Sequence, residues 1–525
     1  MHMQETVTYR SLQDVVVRAG RRFPDTQFFL SKDPAMPYVL GRDLCRLCGR
    51  FGSDVRCDGI QGAHIALLGP NCAAWISAFF AVVSSGCAAV PMHLGTPTDE
   101  LASCLSRADV SLLLYDASCQ AQADALAQLL PALKMQELHA FLQALDTDGA
   151  LFFPELGRDE TAALYFTSGT TAQSKCVILT HGNMGAHCTT AMAALPLSPE
   201  DAGLSILPPS HTFELMTNIV GALHCGGTLY INESLRTVKR NLQKYQPTIL
   251  VVVPLVLQTL HKEILNTARK QGKLEKLHKG LKLSGALQAV GIDISRSLFQ
   301  DVYDVLGHNL RYFLCGGAAL DPELIRFFKH LGITVLQGYG ITECSPIVAA
   351  NLPGANRIGS IGRTFPCCET AIIDGEICVR GGSVSPGYYH DEAATAESFR
   401  DGWFHTGDLG RIDKRGFLYF QGRAKNLIVL ANGENVSPEE LETRLYQLEG
   451  VRDAIVYEKN QQITAEIYAD PAVFPDEAAL WRSVSEINRH LPPYKQIGSI
   501  VYRENEFEKT ATQKIRRRAA TEAAS

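Results

Sequence analysis

Residues 64–91 read HIALLGPNCAAWISAFFAVVSSGCAAVP. His64 to Leu68 is a short unbroken apolar run, as expected of a strand covered on both faces. Asn71 to Ser84 then reads as a helix, and Ala88 to Val90, closed by Pro91, as a second strand. The apolar stretch from Trp75 to Val90 falls short of the ~20 residues a membrane-spanning helix needs. Ser77, Ser84, Ser85 and Gly86 also interrupt it. A buried helix between two strands is therefore expected.

The same alternation continues outward. Leu112 to Tyr115 reads as a strand, followed by a helix over Ala117 to Leu133. Ile249 to Val253 (ILVVV) is a β-branched run ending at Pro254. Strands alternating with helices predict doubly wound α/β layers. From Arg363 the texture changes. Ala371 to Ile373, Asp374-Gly375 and Glu376 to Arg380 read as a hairpin, and Gly410 to Ile412 with Phe417 to Phe420 as another. These predict a small antiparallel sheet or β-barrel. The last hundred residues read as a small α+β unit. Its first helix has Ser437 as N-cap, Pro438 as first residue and Glu440 as the partner in a capping box. Val436 and Leu441 occupy staple positions, and Leu441, Leu445 and Leu448 form the buried stripe. There is no internal repeat and no low-complexity linker.

The chain has 525 residues, enough for two or more packed units. Hydrophobic residues at 46% and charged residues at 20% are ordinary for a globular protein. A net charge of -6 gives no general attraction to nucleic acid. The one basic cluster, Arg516 to Arg518, reads as a solvated tail. Fifteen scattered cysteines, with only a lone Cys45/Cys48 CxxC and an adjacent Cys367-Cys368, predict reduced, buried thiols and no zinc finger. The N-terminus lacks the apolar core of a signal peptide. A cytoplasmic protein, with peripheral membrane association left open, is expected.

Five segments carry chemistry. Tyr165 to Lys175 (YFTSGTTAQSK) gathers hydroxyls and a glycine ahead of a lysine. Small residues let backbone N–H groups approach phosphate oxygens, and the lysine adds charge. It is not a Walker A loop, and alone it reads equally well as a Ser/Thr-rich turn. Gln337 to Glu343 (QGYGITE) offers close backbone approach, a stacking tyrosine and a magnesium-binding carboxylate. Alone it reads as a glycine turn. Gly402 to Asp408 (GWFHTGD) offers an aspartate for two ribose hydroxyls, or simply an Asx turn. Gly422 to Asn426 (GRAKN) with Gly433 to Val436 (GENV), and Lys509 to Arg516 (KTATQKIR), are weak in isolation.

Together, in this order, the five resemble the adenylate-forming superfamily: acyl-CoA synthetases, firefly-type luciferases and nonribosomal peptide adenylation domains. The resemblance spans essentially the whole chain. Pro208 to Glu214 (PPSHTFE), Cys315 to Asp321 (CGGAALD) and the tract from Gly280 to Asp304 resemble long-chain fatty acyl-CoA synthetases. The resemblance implies an ATP-dependent, Mg2+-dependent ligase that makes an acyl-adenylate and passes the acyl group to coenzyme A. An acyl carrier protein as acceptor, an adenylate-binding protein without turnover, and a luciferase-like oxygenase, to which no residue points, are the other readings.

It also implies roles for individual residues. Thr167, Ser168, Gly169, Thr170, Thr171 and Lys175 would cover the ATP β- and γ-phosphates. Gly316, Gly317 and Ala318 would line the adenine pocket, with Tyr339 and Gly340 beside the base. Thr342 would contact the α-phosphate and Glu343 hold magnesium. Asp408 would bind the ribose, assisted by Arg423. His211 would sit near the mouth of the acyl pocket. Lys425 would be the hinge between residues 1–423, the AMP-binding domain, and residues 424–525, a mobile domain carrying Lys514. Lys514 would stabilise adenylation, and Gly433 would lie by the CoA channel. Ala172, Ser174, Cys176 and Gln513 depart from the family pattern; Cys176 is expected to crowd the loop, and Gln513 to restrict Lys514.

Overall fold

The computed structural model describes residues 7–145, 148–167, 174–195, 197–430, 434–509, 515 and 517. The chain divides into two compact units. The first comprises residues 1–318, 322–370 and 379–404, and the second residues 319–321, 371–378 and 405–525.

The first unit holds two mixed sheets. In one, the spatial order of strands is Lys134–Glu137, Val110–Tyr115, His64–Leu68, Ala88–Met92, Thr161–Thr167, Lys175–Thr180. All pairings are parallel except the last, which is antiparallel. In the other, the order is Thr228–Ile231, Ala202–Ser205, Ile249–Val252, Tyr312–Cys315, Thr334–Gly340, Ile347–Ala350, Arg363–Thr364. Its first four pairings are parallel and its last two antiparallel. This is the doubly wound α/β arrangement that residues 64–91 predict, with antiparallel strands added at one edge of each sheet.

The helix Ala73–Ser84 is buried on every side. That explains its lack of a polar face. The Cys72 thiol accepts from the Trp75 N–H at 3.4 Å at its start. Trp75 and Phe79 stack with ring centroids 5.7 Å apart. Each such ring removes about 150–250 Å² from water, worth about 4–6 kcal/mol at 25 cal/mol per Å². Among the described residues, no helix is long and apolar enough to cross a membrane.

Two local expectations differ. The helix expected over Ala117 to Leu133 is a 3₁₀ turn at Ala117–Cys119 followed by Gln120–Leu129. Pro131 ends it early, because the residue before a proline is pushed out of the helical region. At Ser437 the capping box does not form. The hydroxyl donates instead to Glu439 Oε2 at 2.8 Å, and Glu440 accepts from Lys495 Nζ at 2.6 Å.

The short strands expected after Arg363 form a five-stranded sheet. The α+β part of the second unit is the sheet Val451–Lys459, Gln462–Ala469, Ser499–Arg503 with helices Pro438–Leu445 and Glu477–Arg489. Val436, Leu441 and Leu445 are buried in its core, and Leu448 packs against it. All fifteen cysteines are free and most are buried.

Candidate functional site

In the second sheet, Val252, Cys315 and Gln337 stand side by side in register. The strands Tyr312–Cys315 and Thr334–Gly340 therefore deliver Gly316–Ala318 and Tyr339–Gly340 at the same carboxyl edge. That edge is where open α/β sheets bind ligands. Gly317 has φ 87°, a backbone state that favours glycine. A Cβ on Gly340 would lie 2.2 Å from the Pro346 carbonyl oxygen, so only glycine fits. Tyr339 is nearly buried, and Thr342 opens the short turn Thr342–Cys344 that carries Glu343.

Thr167 and Lys175 are cross-strand partners on the first sheet's antiparallel edge. Ser168, Gly169, Thr170 and Thr171, with Ala172, lie outside the described residues. The Lys175 ammonium stands 4.5 Å above the Tyr388 ring and 3.4 Å from Ser398 Oγ. The Tyr388 hydroxyl donates to Glu343 Oε1 at 3.0 Å. Glu343 is 6% exposed. One tyrosine thus links the two charged groups that the Tyr165–Lys175 and QGYGITE segments contribute. Burial, reinforced by the Glu343 carboxylate, pushes the Tyr388 hydroxyl well above its ordinary pKa, so it remains a donor. Cys176 does not share the face of Lys175. Successive strand residues point to opposite sides, and its thiol packs among Leu68, Val90 and Leu164.

Tyr388 was not singled out in the sequence. The only signal was Tyr388-Tyr389 after Gly387, which reads as a turn. Tyr388→Phe keeps the ring under Lys175 but removes a hydrogen bond to a charged group, worth about 1.5–3 kcal/mol. The Mg2+ concentration needed for half-maximal pyrophosphate release is expected to rise about tenfold. An unchanged Mg2+ titration would remove Tyr388 from the site.

His211 stands beside His93, with ring centroids 5.8 Å apart. His93 Nδ1 lies 2.9 Å from Ser210 Oγ. Three residues beyond His211, Glu214 is fully buried. Its Oε1 accepts from Ser205 Oγ and from Asn218 Nδ2 at 2.8 Å, while Oε2 has no hydrogen-bond partner. Burial pushes this carboxyl up to about 8, against the two hydrogen bonds that pull it down. The folded state thus holds a proton that the unfolded chain releases near 4.5. Stability from this group is complete below that pH and falls by about 1.4 kcal/mol per pH unit until the folded carboxyl ionises. Glu214→Gln, shaped like the protonated acid, is expected to lack this slope and to melt higher than the parent chain at pH 8. Parallel melting curves from pH 5 to 9 would contradict it.

In the second unit, Asp408 and Arg423 are cross-strand partners. Arg423 Nε lies 3.0 Å from Asp408 Oδ1, and Asp408 is 2% exposed. The Asp408 N–H donates to Thr406 Oγ1 at 3.0 Å. Lys425 is exposed in the turn Ala424–Asn426. Gly422, at φ 137°, passes so close to Ser437 that a Cβ would lie 2.5 Å from its hydroxyl. Gly433, Gln513 and Lys514 lie outside the described residues. Among the described residues, Lys509 bridges to Ile515, and Phe507 with Ile515 packs on Ile455.

The sequence pattern described as "AMP-binding enzyme" matches residues 16–389, and that described as "AMP-binding enzyme C-terminal domain" matches 425–524. The chain is 30% identical over 452 residues to a long-chain-fatty-acid–CoA ligase of Mycobacterium bovis, covering 79% of this chain and 74% of that one. It is 31% identical over 355 residues to peroxisomal long chain acyl-CoA synthetase 6 of Arabidopsis thaliana, covering 62% of this chain and 50% of that one. The chain thus spans about half the length of this plant relative. The fold matches that of o-succinylbenzoate CoA synthetase of Bacillus subtilis, solved with its acyl-adenylate, at a TM-score of 0.78 and 22% identity, covering 96% and 97% of the two chains. The chain belongs to the AMP-binding enzyme family and, within the adenylate-forming superfamily, to the acid–CoA ligases.

Proposed function

We propose that this chain activates a medium- or long-chain fatty acid with ATP, releasing pyrophosphate, and transfers the acyl group from AMP to coenzyme A. The observation that carries the reading is the linked Lys175, Tyr388 and Glu343 in the first unit. An ammonium and a buried carboxylate joined through one phenol suit a triphosphate with its magnesium. Mg2+ is commonly held by one or two carboxylates together with substrate phosphates, and Glu343 has the oxygen donors for that. When bound, the ion neutralises charge that develops on the phosphate oxygens. The fatty-acid part of the reading is supported by relatives named for long-chain acids, whereas a structural neighbour is named for an aromatic acid.

In this reading Asp408 holds the ribose, with Arg423 Nε 3.0 Å from its carboxylate. Thr167, Thr342 and Lys175 contact phosphate oxygens, and residues 316–318 with Tyr339 and Gly340 surround the adenine. His211 guards the acyl pocket. Residues 424–525 turn about Lys425 between the two half-reactions, bringing Lys514 for the first and Gly433 for the second.

The test is acid-dependent pyrophosphate release across acids from acetate to palmitate, and with an aryl acid, each with and without CoA. A maximum at one fatty chain length, raised by CoA, is expected. A maximum with the aryl acid would overturn the fatty-acid assignment. Release indifferent to CoA would point to a carrier-protein acceptor, and ATP binding without release to a non-catalytic protein.

A further inference from the structure

Within the second unit, three side chains of different chemistry converge: Glu376, Cys378 and His405. Glu376 and Cys378 are two apart on one strand and share a face. His405 lies on the strand Trp403–Ile412. His405 Nδ1 is 2.9 Å from Glu376 Oε2 and 3.4 Å from Cys378 Sγ. The three ligand atoms lie within 4.8 Å of one another. The other Glu376 oxygen accepts from the Gly407 N–H at 2.6 Å, which fixes the carboxylate with Oε2 towards the imidazole.

We infer that Glu376, Cys378 and His405 form a binding site for a thiophilic divalent cation of the zinc class, separate from the magnesium that accompanies ATP. Tetrahedral zinc with ordinary bond lengths separates sulfur from nitrogen by about 3.6 Å and nitrogen from oxygen by about 3.4 Å. The two separations from His405 Nδ1 need to open by only a few tenths of an ångström, and Cys378 Sγ and Glu376 Oε2 stand within 4.8 Å of each other. A thiolate, an imidazole and one carboxylate form a donor set that favours zinc, cobalt or cadmium over magnesium or calcium, which take oxygen alone. The cysteine is buried, while the side chains of Glu376 and His405 retain 18% and 10% exposure, room for a water as fourth ligand. The Gly407 N–H supplies the outer support that metal-binding carboxylates ordinarily have. On binding, the sulfur–metal bond replaces the Cys378 S–H bond and the proton leaves to solvent. The cation thereby ties together two strands of the second unit, at the stretch leading into Asp408.

The probe is Co2+, added to full-length protein freed of metal by chelation. One equivalent per chain is expected, with thiolate-to-cobalt charge-transfer absorption. Cys378→Ser should abolish the band and that equivalent. Cys57→Ser, which removes an exposed thiol, should leave both intact. His405→Gln and Glu376→Gln keep the thiol and should each weaken Co2+ binding by at least about tenfold, the lower bound for losing even an outer partner. Circular dichroism of each variant checks folding, and the Gln variants decide the matter if Cys378→Ser does not fold. No charge-transfer band in the parent chain, or one that persists unchanged in the ligand variants, would overturn the assignment.

Discussion

Lys514→Ala is expected to slow acyl-adenylate formation by about 100- to 1,000-fold, the usual loss when one preorganised transition-state donor is removed. Thiolation of supplied acyl-adenylate should stay within a few-fold of the parent rate. Attack on the α-phosphate builds charge on oxygens that a lysine neutralises, and the second half-reaction expels AMP without that demand. The neighbouring Lys509 provides the contrast. Its ammonium lies 2.8 Å from Asp453 Oδ2, whose side chain is 9% exposed, so it already serves a structural pair. Lys509→Ala strands a nearly buried carboxylate, and its cost should appear as a lower melting temperature with the ratio of half-reactions unchanged. Separate assays of acid-dependent pyrophosphate release and of CoA consumption from acyl-adenylate distinguish the two lysines. Equal loss in both half-reactions for Lys514→Ala would remove its assigned role.

The layers of the first unit were legible because their signal is local. HIALL, ILVVV and the uniformly apolar helix after Cys72 can be satisfied only by burial on both sides. The capping box failed because a local pattern met a stronger partner. Lys495, 55 residues away in sequence, takes the Glu440 carboxylate, and the Ser437 hydroxyl turns to Glu439. The candidate site divides along the same line. Gly340 and Glu343 stand in one contiguous segment and could be read from it. Tyr388 could not, because its meaning comes from Lys175 and Glu343, both more than 40 residues earlier in the sequence. Glu376, Cys378 and His405 escaped attention for the same reason. Their 2.9 and 3.4 Å approaches are made between strands, and no metal-binding spacing in the chain announces them.

Glu343→Gln is expected to reduce acyl-adenylate formation by about 100-fold or more, through loss of the carboxylate proposed to hold magnesium. The fold should survive it. Glutamine keeps the shape and one carbonyl oxygen, so Tyr388 retains an acceptor. The backbone bond from the Ser385 N–H to the Glu343 carbonyl, at 2.7 Å, does not involve the side chain. Removing a charge from a site with 6% exposure also lowers the desolvation cost of folding, so the melting temperature should hold or rise. The magnesium titration separates this variant from Lys514→Ala. Losing a metal ligand raises the Mg2+ concentration required, whereas losing a lysine leaves it unchanged and lowers the plateau. Tyr388→Phe should shift the titration in the same direction as Glu343→Gln but by less, because it weakens the orientation of the carboxylate without discharging it. In the double variant the two shifts should not add, since the phenol can act on magnesium only through Glu343. A Glu343→Gln titration superimposable on that of the parent chain would deny Glu343 the metal, and additive shifts would give Tyr388 a separate role.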